Sequence, residues 1–259
     1  MSVNFENDPE FRDVSLKKSS NVGCGLVQVL CALGIIVVLI MLLLPAYRSA
    51  RPAARRAQCA NNLKQIALAL HNYVATYDAL PPAHTVDPQG RPLHSWRTLI
   101  LPYLEQESLY RTIDLPKPWN DPANAQALET EVSVFRCPET VVKAVGPKNT
   151  TTYLAIVAPG SCFLPREPRR LADITDGTSN TLTVIEAGEE NAVPWMMPVD
   201  ADESVVLSFG PDTKLHHVGG ANTGFVDGSV RFLKASIPAN VRRALISIAG
   251  NDTPSADQW

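Results

Sequence analysis

The feature that most constrains this chain is an uncharged stretch from Ser19 to Tyr47. Within it the run Gly25–Leu44 (GLVQVLCALGIIVVLIMLLL) is apolar apart from Gln28. About 20 such residues reach across a bilayer as a helix. A buried helix of a water-soluble protein seldom stays apolar on every face for that length. A cleavable signal peptide fits less well, because the run exceeds the roughly 7–15 residues of such a core and no small-x-small cleavage site follows it. A lipoprotein anchored at Cys24 is excluded by order, since the apolar run follows that cysteine. The expectation is a single-pass transmembrane helix over residues 22–46.

The remaining residues suffice for one ordinary domain with a real core. A net charge of -3 gives no sign of nucleic-acid binding. The 21 prolines against 14 glycines predict many turns. A second helix is predicted over Ala53–Tyr77, where Leu63, Ile66, Leu70, Tyr73 and Tyr77 recur at three- and four-residue steps. Pro45 should end or kink the first helix, and Leu80-Pro81-Pro82 should stop the second. Residues 83–131 read as loops with a short helix near Trp96–Tyr110, interrupted at Pro102. Strands are expected at Val132–Arg136, Thr152–Ala158, Thr181–Glu186 and Val205–Phe209. A hairpin, Asn222–Val226 with Ser229–Leu233, is predicted around Asp227-Gly228 as a two-residue type I′ turn. Pro238 opens a last helix that runs to about Ala249, with Gly250 beyond it. The predicted class is α+β: an N-terminal transmembrane helix continuing into a long helix packed on an antiparallel sheet.

Five blocks then carry a resemblance. They are LLLPAYRSARPAARRAQCANNLKQIALALHNY, LPYLEQESLY, FRCPE, DITDGTSNTLTVIEAGE and HVGGANTGFVDGSVRFL. In the last, His217 is followed by nine residues and then Asp227-Gly228. In content and order these blocks resemble the bacterial family of domain of unknown function 1559, a pilin-like group with a prepilin-type processing-associated H-x9-DG signature. The resemblance covers about Gly23 to Asn251. It implies a likeness to type IV pilins and to type II secretion pseudopilins, with residues 1–21 as a cytoplasmic tail and 47–259 as a pilin-like extracytoplasmic domain. The expected location is the inner membrane. Charge points the other way: Arg48, Arg51, Arg55 and Arg56 follow the span, and the positive-inside rule would keep that side cytoplasmic. The resemblance overrules this count, with the arginines placed near anionic headgroups.

The chain departs from the pilin pattern at the processing position. Alignment on LLLPA puts the cleavage glycine at Gly23, the next residue at Cys24 and the pilin glutamate at Gln28. Glutamine hydrogen-bonds but carries no charge to pair with a neighbour's amine. The position therefore reads as degenerate, and Cys24 is not expected to be the mature N-terminus.

Cys59 and Cys137 fall in matched blocks. In an oxidising compartment they are candidates for a disulfide that ties the long helix to the domain, and otherwise they are two buried thiols. Cys162 is left over, and Cys24 and Cys31 lie in the apolar segment. Candidate metal ligands are His217 and Asp227, with His216 beside them, and Asp173 and Asp176 in the oxygen-rich loop DITDGTSN. For that loop calcium is the conceivable ion, and Glu186, Glu189 and Glu190 could add carboxylates to it or else form a solvated strand end. Turn chemistry explains the same residues more simply, and the twelfth position from Asp173 is Val184, which breaks the EF-hand spacing. No nucleophile elbow, P-loop or HExxH motif is present, so no enzyme and no cofactor are expected. Trp96, Trp119 and Trp195 could stack sugars, though core packing is their commoner use. Two functional expectations remain: a pilin- or pseudopilin-like envelope protein, with the lipid bilayer, sister subunits or secretion machinery as partners, or a membrane-tethered polysaccharide-binding module that forms no filament.

Overall fold

A computed structural model describes residues 22–142, 146–210, 213–252 and 254, with the side chains of 22–24, 42–50 and 141–142 outside that description. The expected tail, 1–21, lies outside the described residues. The chain divides into two compact units, 1–50 and 51–259.

A helix, α1, runs Val22–Tyr77. The prolines at 45 and 52 therefore do not end it. A proline removes one N–H donor, and the flanking turns retain theirs. In the first unit every described side chain of the apolar segment, 25–41, is exposed, with Leu26 at 65% and Met41 at 66%. Among the described residues no helix is long and apolar enough to cross a membrane.

The second unit is α+β. After α1 come β1 (His84–Val86), β2 (Pro92–Ser95), α2 (Trp96–Leu99), α3 (Glu107–Tyr110), α4 (Ala125–Leu128) and α5 (Pro138–Val142). Then follow β3 (Thr150–Thr151), β4 (Tyr153–Ala155), β5 (Leu182–Glu186), β6 (Val193–Pro194), α6 (Glu203–Leu207), β7 (Gly220–Phe225), β8 (Val230–Lys234) and α7 (Ala239–Ile246). The central sheet has the order β4-β5-β7-β8, antiparallel throughout. Two small pairs, β1-β2 and β3-β6, flank it.

Strand β5 is buried along its whole length because both sheet faces are covered. Val184 packs in one cluster with Cys59, Leu63, Ile66 and Leu70 of α1. Leu182 and Ile185 pack in the other, with Val206 of α6 and Val241 and Leu245 of α7. Two residues three apart share a face because the β5-β7 register shifts between them, as a bulge does. The domain is thus a helix, an antiparallel sheet and a second helical layer.

Several sequence expectations are corrected. Val132–Arg136 holds only a 3-10 turn, Ser133–Phe135, which is too short and too tightly wound to pair. The expected strand Val205–Phe209 is replaced over Val205–Leu207 by helix α6, which Asp202 caps by accepting from the Val205 N–H at 3.2 Å. The Trp96–Tyr110 helix is split by a 3-10 turn at Leu101–Leu104 that contains Pro102. The hairpin is not of type I′: Gly228 has φ +84 while Asp227 is not in the left-handed region. The Gly228 N–H donates to the Phe225 carbonyl and the Phe225 N–H to the Ser229 carbonyl, which is a type I turn closed by a glycine bulge. The last helix begins at Ala239 after Pro238 and stops at Ile246, where Ser247 turns extended.

One buried group sequence reasoning missed anchors this frame. Arg97 is fully buried and donates to the carbonyls of Tyr153, Trp195, Met197 and Val199 and, at 2.7 Å, to Asp200. Asp200 also accepts from the Trp96 indole and the Ala155 N–H. Burial raises the Asp200 carboxyl above its usual range, and the Arg97 guanidinium opposes that shift. Trp96 and Trp195 are core residues, with the Trp195 indole donating to the Thr130 carbonyl, so neither presents a sugar-stacking face.

Candidate functional site

One face of α1 grips the segment 136–139. Arg55, Cys59 and Asn62 stand at successive turns of the same stripe. Arg55 pairs with Glu139, Cys59 forms a disulfide with Cys137, and the Asn62 amide donates to the Arg136 carbonyl at 2.9 Å. Thr140 fixes the far side by donating its hydroxyl to the Cys137 carbonyl at 2.7 Å. Both cysteines are buried.

Against this disulfide lies a buried acid–base pair. Glu186 ends β5 at 1% exposure, opposite Tyr153 in the β4-β5 register. Its Oε2 accepts from the Asn222 amide of β7 at 2.7 Å and lies 3.2 Å from Nε2 of His217. That ring nitrogen stands 4.0 Å from Sγ of Cys137. Its proton is assigned to Nε2 by the carboxylate it faces. Oε1 of Glu186 is buried with no hydrogen-bond partner. Donor atoms of Cys59, Cys137, Glu186 and His217 all lie within 4.8 Å of one another, the only such metal-type group among the described residues. The turn that delivers His217 depends on Gly219, whose φ of +83 lies in the left-handed region.

His217 also lines a surface cleft of roughly 360 Å³, with Pro52, Ala53, Arg56, Glu139, His216 and Val218. Val218 is 99% exposed at its lip, and His216 stands 3.8 Å from Glu189. The buried cluster is thus one residue deep from solvent.

The other sequence candidates are placed elsewhere. Asp227 is exposed in the hairpin turn and accepts from the Ser229 N–H at 2.8 Å. Asp173 is exposed. Asp176 spends both oxygens on the backbone N–H groups of Gly250 and Asn251, at 2.6 and 3.0 Å. These three carboxylates are not brought together with His217: Asp227 serves its own turn, Asp176 closes the C-terminal segment, and Asp173 lies exposed on a 3-10 turn. Cys162 is buried, donates to the Leu182 carbonyl at 3.0 Å, and has its thiol pushed up to about 12 by burial, which makes it inert. Gln28 is an exposed residue of α1, and the side chains of Gly23 and Cys24 lie outside the described residues. Glu186 and Asn222 were not legible as partners of His217. The one signal was a glutamate closing an otherwise uncharged strand, Leu-Thr-Val-Ile-Glu.

Fold and site together define an α+β domain in which a helix crosses one face of an antiparallel sheet and is locked there by a disulfide beside a buried His–Glu pair. A family described as protein of unknown function, DUF1559, matches residues 48–206, and the chain belongs to that family. Among curated proteins and among solved structures nothing matches.

Proposed function

We propose that this chain is a membrane-anchored, pilin-like envelope protein with a structural or interaction role and no catalytic activity. In this reading the segment Gly25–Leu44 sits in the inner membrane, with the N-terminus in the cytoplasm and the domain outside. Its partners are the bilayer and other pilin-like subunits or secretion machinery.

The observation that carries the reading is the uncharged run of apolar side chains over 25–41, exposed at every position. A helix apolar on every face is stable only where something apolar surrounds it, and lipid does so. Two features support the outward orientation. A disulfide persists in an oxidising compartment. Two of the four arginines after the span are also committed to the folded domain: Arg55 pairs with Glu139, and Arg56 lies 4.9 Å from the Phe232 ring centroid.

The test is fractionation of cells that make the full chain, followed by protease treatment of intact spheroplasts. The expected result is carbonate-resistant membrane association and a domain cleaved from outside. A chain recovered in the soluble fraction, or a domain reached only after lysis, refutes the reading. Intact-mass measurement adds the processing state: an uncleaved chain fits the degenerate Gly23-Cys24 position, and a chain beginning at Cys24 overturns it.

A further inference from the structure

We propose that the disulfide cluster is also a metal site: in the reduced chain Cys59, Cys137, His217 and Glu186 bind one zinc-class divalent ion. The disulfide is the metal-free, oxidised state of the same residues. This goes beyond the anchoring role and does not depend on it.

The donor set names the ion. Two thiolates, an imidazole and a carboxylate suit zinc and its borderline relatives. Calcium and magnesium ask for oxygen ligands alone. The geometry is nearly assembled. Bonds of roughly 2.0–2.3 Å to a tetrahedral ion place ligand atoms about 3.3–3.8 Å apart. His217 Nε2 already stands 3.2 Å from the Glu186 carboxylate and 4.0 Å from Cys137 Sγ. All four donor atoms lie within 4.8 Å of one another, so separation of the two sulfurs on reduction and a small closure of the other donors complete the site.

A second observation points the same way. Glu186 is buried, and its Oε1 has no partner while Oε2 carries both the Asn222 and His217 contacts. An unsatisfied buried carboxylate oxygen is costly in a site that serves only as a staple. A metal ion would satisfy it, with Asn222 orienting the carboxylate as an outer partner. Entry is available through the cleft that His217 lines.

The chemistry balances. A dithiol reductant gives two electrons and two protons to the disulfide and becomes a disulfide itself. Binding of the ion then displaces the two thiol protons, and the imidazole proton passes from Nε2 to Nδ1 so that Nε2 presents its lone pair to the ion. In reverse, a low-molecular-weight disulfide takes up the two electrons, the Cys59–Cys137 bond forms, and the ion leaves. In an oxidising compartment the disulfide form would prevail, and the metal form belongs to the chain before oxidation or under a reductant.

The experiment uses the full chain in detergent micelles carrying C24S, C31S and C162A, so that Cys59 and Cys137 are the remaining thiols. The protein is reduced under nitrogen with a phosphine, which leaves no competing thiol, and titrated with zinc and with cobalt(II). The expected result is one equivalent per reduced chain and a tetrahedral cobalt spectrum with two-thiolate charge transfer. The oxidised chain should take up none, and glutathione disulfide should release the bound zinc. H217Q and E186Q should each weaken zinc binding by about 100-fold or more. Thermal melts of the oxidised variants show whether they fold, and if E186Q does not, H217Q decides alone. No uptake by the folded reduced chain overturns the proposal. So does equal uptake by the oxidised chain, or zinc affinity unchanged in H217Q, which would mean that the two thiols alone hold the ion.

Discussion

Replacing Cys59 and Cys137 with alanine removes a link between residues 78 apart in sequence. In the chain-entropy account, closing a loop of that length takes about 4.5 kcal/mol of freedom from the unfolded chain at 25 °C. The folded state has other ties across the same junction. Arg55–Glu139 and the Asn62–Arg136 hydrogen bond hold the helix to the segment without the sulfurs. The variant should therefore keep its fold and lose stability chiefly through its unfolded state. With a urea m-value of about 2 kcal/mol/M, the midpoint should fall by about 2 M. The assay is urea unfolding of the full chain in micelles, followed by tryptophan fluorescence because Trp195 stacks on Phe135 in the same core cluster. A chelator is present throughout, and wild type reduced under the same chelator should match the variant. A midpoint shift below about 0.5 M would refute the reasoning, because it would mean that the unfolded ensemble already holds the two segments together.

Two further outcomes follow from buried charge. D200N leaves the Arg97 guanidinium buried without its counter-charge, at a cost of about 3–5 kcal/mol; differential scanning calorimetry should show a melting temperature lower by roughly 10 °C, and a drop of only a degree or two would show that the four carbonyls around Arg97 suffice. Burial lowers the pKa of His94 below 6.5, against weaker opposing effects from Asp114 and the backbone of Leu115 and Lys117. Between the two values the unfolded chain binds more protons, so stability falls as pH drops below about 6.5. His84, also lowered by burial, adds in the same direction. H94Q should flatten the dependence of urea midpoint on pH, and an unchanged slope would remove His94 from the account.

The helix stripe Leu63, Ile66, Leu70 was readable because helical periodicity is local, and those residues are buried, whereas Tyr77 at the end of the predicted stripe is 61% exposed. Strand β5 was readable from its β-branched run. Val205–Phe209 was misread because β-branched residues suit strands, while the deciding contact is a cap from Asp202 whose geometry the pattern does not carry. The oxygen-rich loop at 173–180 looked like a cation site because oxygen-rich residues serve turns and cations alike. What settled its role was Asp176 reaching residues more than seventy positions away.

The sequence by itself determined the apolar run Gly25–Leu44, the helix that follows, the α+β class and the family, because each rests on residues near one another in the chain or on blocks in fixed order. Tertiary structure decided everything that depends on distant partners. It set Cys59 against Cys137, turned Arg97 inward onto Asp200, and placed Glu186 and Asn222 beside His217. A strand of period two shows which side chains share a face. It does not show which loop will be folded against that face, and in this protein that loop supplies the histidine.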